Sequence, residues 1–176
     1  MTRTPVLAGL SLLVALGALA VAFGSEWYGG LVPCALCLVE RWPYRVAAVV
    51  AVIALLPLRL RWVLWGVVLC MAASVAFASV HVGVEQKWWP SPLPECAAPN
   101  LGGGSIAERL ARMPAHPAKP CDDPTFLVPG VPVSMAAMNG LAALVFGLFL
   151  AISLLRPKPY GAPNERLDPA RRSHAS

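Results

Sequence analysis

Three uncharged apolar runs dominate the chain: Val6–Phe23, Trp62–Val80 and Ser134–Leu155, of 18, 19 and 22 residues. A hydrocarbon core of about 30 Å takes roughly 20 helical residues, so each run has the length of a membrane crossing. A fourth run, Val46–Leu58, has 13 uncharged residues and reaches that length only by borrowing from Cys34–Arg45. Helices satisfy their own backbone groups in lipid, so the expected fold class is an all-α membrane protein. Its expected form is an antiparallel four-helix bundle over residues 1–156, with spans near 6–23, 34–58, 62–81 and 134–155. Composition agrees: 57% hydrophobic and 13% charged residues exceed what a water-soluble chain of 176 residues would hide.

Charge sets the expected orientation. The net charge of +5 is scattered around the apolar runs and forms no basic stripe, so nucleic acid is not an expected partner; membrane lipid is. Eight positive residues (Arg3, Arg59, Arg61, Arg156, Lys158, Arg166, Arg171, Arg172) fall on one side of the spans, against four (Lys87, Arg109, Arg112, Lys119) on the other. The positive-inside rule then predicts both termini in the cytoplasm, with residues 24–33 and the loop 82–133 on the outer, oxidising face. The alternative for the first run is a cleaved signal peptide, with Arg3 before it and Ala20 and Ala22 near its end. Its 18 residues exceed the usual apolar core of about 7 to 15, which favours a span.

The outer loop 82–133 holds ten of the 18 prolines and the run Gly102–Gly104, which leaves little room for regular structure. Ser105–Met113 is the exception. Ser105 can cap a short helix with Glu108, and Ile106, Leu110 and Met113 share a face that can rest on the membrane surface. Residues 157–176 show no hydrophobic period and read as a disordered cytoplasmic tail without assigned chemistry.

The cysteines carry the candidate chemistry. Pro33-Cys34-Ala35-Leu36-Cys37 is a C-x-x-C motif, whose spacing lets two thiols meet and places both near a helix N-terminus, where thiolate is favoured. Such pairs also bind zinc, and two incidental apolar cysteines are a further reading. Cys96 and Cys121 lie in the outer loop with 24 residues between them, where an oxidising compartment favours pairing. They can be a structural staple, or, facing a second dithiol on the same side, they can exchange with it. Zinc sites use two short-spaced pairs or short-spaced histidines. Only one pair here is short-spaced, and His81 and His116 lack neighbours at ligand spacing, so no metal is expected. Cys70, mid-span, reads as packing.

Glu40, Arg41 and Arg45 follow the C-x-x-C pair, and an arginine costs about 2.5 to 3.5 kcal/mol at mid-bilayer. Counting back from Leu58 puts Arg41 about 25 Å along a helix, just inside the outer interface. A continuous helix would align Cys34, Arg41 and Arg45 on one stripe. Snorkelling to headgroups is one reading of both arginines and the favoured one for Arg45; for Arg41, four residues after Cys37, a contact to a carbonyl or thiolate is the other.

In residues and in order the chain resembles the disulfide bond formation protein B family, DsbB. The resemblance runs through Pro33-Cys34-Ala35-Leu36-Cys37, Glu40-Arg41, Pro90-Ser91-Pro92 before Cys96, and Cys121-Asp122, and covers roughly residues 5–156. It implies a thiol oxidoreductase of the bacterial inner membrane that reoxidises a periplasmic DsbA-like, thioredoxin-fold partner. By that resemblance the partner attacks at Cys96, Cys121 exchanges with Cys34, and Cys37 passes electrons to a quinone, ubiquinone or menaquinone, contacted by Arg41. In the vitamin K epoxide reductase group the loop pair precedes the C-x-x-C, whereas here the C-x-x-C comes first. Trp88 and Trp89, beside Lys87, depart from the pattern and read as interfacial anchors. The competing reading is a non-catalytic membrane scaffold or metal-binding protein with structural cysteines, which would not cycle with a quinone.

Overall fold

The computed structural model describes residues 3–56, 61–96, 105–111, 119–127, 130 and 132–156. The tail 157–176, together with Met113 and His116 of the loop, lies outside the described residues. Among the described residues the chain is all-α: α1 (Arg3–Trp27), α2 (Ala35–Val39), α3 (Arg41–Leu55), α4 (Leu64–Glu85), α5 (Ile106–Ala111) and α6 (Met135–Leu155). Three segments, Thr4–Trp27, Arg61–Glu85 and Met135–Leu155, are long and apolar enough to cross a membrane. Leu13, Leu69, Leu141 and Val145 lie exposed on their outer faces, as on a surface that meets lipid.

α3 has 15 residues, about 22 Å, which falls short of a hydrocarbon core of about 30 Å. The short helix α2 precedes it, set apart by Glu40. Pro43 explains the break. It has no N–H to offer Val39, four residues back, and its ring crowds that carbonyl, whereas the first turn of a new helix needs no such donor. The stripe expected through Cys34, Arg41 and Arg45 does not form: Cys34 caps a separate helix, and within α3 Arg41 is buried while Arg45 is exposed over the Trp42 ring at 5.3 Å.

α1 packs on α3, α3 on α4 and α4 on α6. Small side chains at helical spacing make the close approaches: Ala8, Ser11 and Ala15 on α1, and Ala47, Ala51 and Ala54 on α3, all buried. Between α4 and α6, a Cβ added at Gly140 would sit 2.9 Å from the Ala78 Cβ, and one at Gly147 would sit 3.0 Å from the Met71 Cβ. The two contacts advance in opposite chain directions, so these helices run antiparallel, backbone close to backbone. At one end of the pair, Arg61 Nη2 donates to the carbonyls of Ser153, Leu154 and Arg156 at 3.2, 2.7 and 3.1 Å, satisfying acceptors that a helix end leaves open.

At the other end of α4 the chain doubles back. Lys87 takes a positive φ of 59°. Trp89 then lies over Gly83, where an added Cβ would fall 1.9 Å from its ring, and its Nε1 donates to the Val80 carbonyl at 3.2 Å. The reversal leads into a 3-10 turn at Pro94–Cys96 that packs against α2. Farther along, α5 opens on a capping box: Glu108 N donates to Ser105 Oγ at 3.3 Å, and Ser105 N donates to Glu108 Oε2 at 2.9 Å.

Candidate functional site

Cys34 is the N-cap of α2. Its backbone is extended and its Sγ accepts the Cys37 N–H at 3.2 Å, the bond that a serine or aspartate oxygen usually makes at this position. In the C-x-x-C spacing the second cysteine is therefore the third residue of the helix, and the cap itself brings the sulfurs together, 2.7 Å apart. Cys34 is buried, Cys37 half-buried, and both are free thiols.

The other pair is closed as a Cys96–Cys121 disulfide with Cα atoms 5.1 Å apart. It packs into one buried cluster with Cys34, Leu36 and Val84, with Cys37 and Leu93 at its edge. The fold thus brings both sequence-identified pairs together. With Cys96 and Cys121 bonded to each other, the four sulfurs form no common metal site. Cys70 sits apart on α4, packed against the core of the bundle.

A chain of polar side chains from several elements surrounds the thiols. Tyr44 donates to Asn139 Oδ1 at 2.6 Å, and Asn139 Nδ2 donates to Glu40 Oε2 at 2.9 Å. Glu40 Oε1 lies 2.7 Å from His81 Nδ1, and His81 Nε2 faces Cys34 Sγ at 3.5 Å. A carboxylate at Nδ1 favours a proton on that nitrogen, so in the neutral imidazole the Nε2 lone pair faces the sulfur. Glu40 and His81 are both buried, and a buried carboxylate without partners would be costly. Here both of its oxygens are satisfied, which explains how it is tolerated.

Arg41 is also buried, and its guanidinium pairs with Glu26 of α1 and lies 5.0 Å from the centre of the Phe23 ring. Among the described residues no hydrogen bond joins Arg41 to Cys37. Among these residues the Arg41 Nε has no hydrogen-bond partner either. Arg41, Cys37, Glu40, Tyr44, His81 and Asn139 all border a cavity of about 250 Å³, whose other walls are mostly apolar side chains of α1, residues 31–33 and α6. That volume lies just under the roughly 300 to 1,000 Å³ of pockets for drug-sized molecules, enough for a ring-sized head group.

Glu26, His81 and Asn139 were not singled out by sequence as parts of this constellation. Each had a weak signal: Glu26 is the acid that ends the first apolar run, His81 follows directly on the second, and Asn139 is a lone amide in the last. What was missing was the pairing across separations of 15, 41 and 99 residues.

A family model described as "Disulfide bond formation protein DsbB" matches residues 3–153. No curated protein and no solved structure gives a match.

Proposed function

The chain belongs to the DsbB family and is therefore a membrane oxidoreductase of disulfide-bond formation, and on that premise we propose that it reoxidises a periplasmic DsbA-like dithiol protein at the expense of a membrane quinone. The observation that carries this reading is the single buried cluster holding the Cys96–Cys121 disulfide and the Cys34/Cys37 pair. A staple needs no second dithiol packed against it; an exchange pathway does.

The partner's thiolate attacks Cys96 Sγ, and the bond to Cys121 breaks. Cys121, now a thiolate, attacks Cys34 of an oxidised Cys34–Cys37 pair, and Cys37 leaves as thiolate at the cavity wall. The partner's second thiol then closes the partner disulfide and frees Cys96, and Cys96 attacks Cys121 to restore the loop disulfide and release Cys34 as thiolate, so that two electrons have entered the C-x-x-C. A bound quinone supplies the two-electron acceptor. The residues present fit its head group: an apolar cavity holding the Cys37 sulfur and bordered by Arg41, whose buried Nε–H lacks an acceptor that a carbonyl would provide. Arg41 is held by Glu26 and orients the ligand. Glu40, fixed by Asn139, orients His81, whose Nε2 faces the Cys34 sulfur and takes up its proton transiently during exchange.

In the same reading α2 and α3 together make the second of four crossings. Both termini lie in the cytoplasm, the loop 82–133 faces the periplasm, and the membrane is the bacterial inner membrane. A double variant, Cys37→Ser with Cys96→Ser, tests the exchange directly. Peptide mapping should find Cys34 and Cys121 joined in one chain. Recovery of both as free thiols under oxidising conditions would count against it.

A further inference from the structure

His81 stands 47 residues from Cys34 in sequence, yet its Nε2 reaches the Cys34 sulfur. The ligand atoms of Cys34, Cys37 and His81 all lie within 4.8 Å of one another. We infer that the reduced C-x-x-C pair and His81 form a binding site for one thiophilic cation of the zinc class. Neither the quinone nor the partner enters this inference, which needs only the reduced thiols.

The geometry is near that of a three-ligand zinc site. Bonds of about 2.3 Å to sulfur and about 2.0 Å to imidazole, in a tetrahedron, put the sulfurs about 3.8 Å apart and each sulfur about 3.5 Å from the nitrogen. The Cys34–His81 separation of 3.5 Å already has that value, and the 2.7 Å between the sulfurs opens to it by a small rotation of Cys37. The imidazole is held as metal-binding histidines are held, with its other nitrogen on a carboxylate, here Glu40 at 2.7 Å, which Asn139 fixes in turn. That leaves one coordination position. Glu85 Oε1, 3.9 Å from His81 Nε2 but outside the group of ligand atoms within 4.8 Å, can reach it through a bridging water. Cys37 and His81 both border the cavity, which gives the cation a way in.

Binding releases two thiol protons and changes no oxidation state. A Cys34–Cys37 disulfide removes two of the three ligands, so the cation binds only the reduced form and by mass action holds the pair reduced. A zinc-class cation therefore opposes reoxidation of the C-x-x-C.

The test uses the full chain in detergent with Cys70, Cys96 and Cys121 replaced by serine, so that only the site thiols remain. Cadmium(II) titrated into the reduced protein should bind at one equivalent, with thiolate-to-cadmium absorption, and the oxidised protein should bind none. Zinc-edge X-ray absorption should find two sulfurs and one imidazole nitrogen. Glu40→Gln should weaken binding about 10- to 100-fold, and His81→Ala at least as much. For the chain without substitutions, fully reduced, zinc should protect Cys34 and Cys37 from alkylation while Cys96 and Cys121 react. Equal binding by the oxidised form, unchanged affinity in His81→Ala, or protection of Cys96 and Cys121 instead would overturn the assignment.

Discussion

Replacing Glu26 by alanine leaves the Arg41 guanidinium buried without its carboxylate. The side chains of the pair are 8% and 20% exposed, so the arginine cannot recover its hydration in place. Breaking a buried pair from one side costs about 3 to 5 kcal/mol. The Phe23 ring still faces the cation, worth about 0.5 to 2 kcal/mol, which puts Glu26→Ala near the lower limit, about 3 kcal/mol. Arg41→Ala strands the more accessible partner and should cost less, about 2 kcal/mol. The double variant leaves no orphaned charge and should cost about 2 to 3 kcal/mol, so the coupling between the two sites is about 2 to 3 kcal/mol. Equilibrium unfolding in mixed micelles, followed by helical circular dichroism, measures all three. Because Arg41 borders the cavity, Glu26→Ala should also raise the apparent KM for quinone and leave that for the partner protein unchanged. A coupling below about 0.5 kcal/mol would mean that the pair behaves as a solvated surface pair, and the orienting role given to Glu26 would fall.

Cys34→Ser, Cys37→Ser, Cys96→Ser and Cys121→Ser should each abolish partner-dependent quinone reduction, while Cys70→Ser, packed against the core on α4, should be nearly silent in the same steady-state assay. Gly83→Ala should displace the Trp89 ring, since its Cβ would fall 1.9 Å from it; about 1 to 3 kcal/mol of stability and a changed tryptophan emission are expected, and an unchanged spectrum would deny the contact. Reporter fusions after Leu155 should be active only as cytoplasmic reporters; a periplasmic signal there would invert the proposed topology.

The long apolar runs made the helical, membrane-spanning class legible, because in lipid a helix is nearly the only way to satisfy an isolated backbone segment. The C-x-x-C and the order of the later cysteines made the family legible as well. Pro43 was visible too, and its effect on Val39 is a local rule, so the break at Glu40 was legible; the burial of Arg41 depends on Glu26 and Phe23 of α1 and was not. The partners of Arg41 and His81 were not legible. Glu26 reaches Arg41 from α1, and His81 of α4 meets Glu40 at the start of α3, which Asn139 of α6 holds in turn; no spacing within one segment encodes which polar side chains of separate spans share a depth. The capping box at Ser105 and Glu108, by contrast, needs only residues three apart and could be read from sequence alone.

The most direct measurement combines the purified chain, a reduced DsbA-like protein and a quinone in detergent or vesicles, and counts quinol and partner disulfide together. One quinol per partner disulfide formed is the expected result, lost when Cys37 is serine. Partner oxidation that proceeds without quinol, or quinol formation that persists in Cys37→Ser, would contradict the transfer of electrons from the C-x-x-C to a quinone.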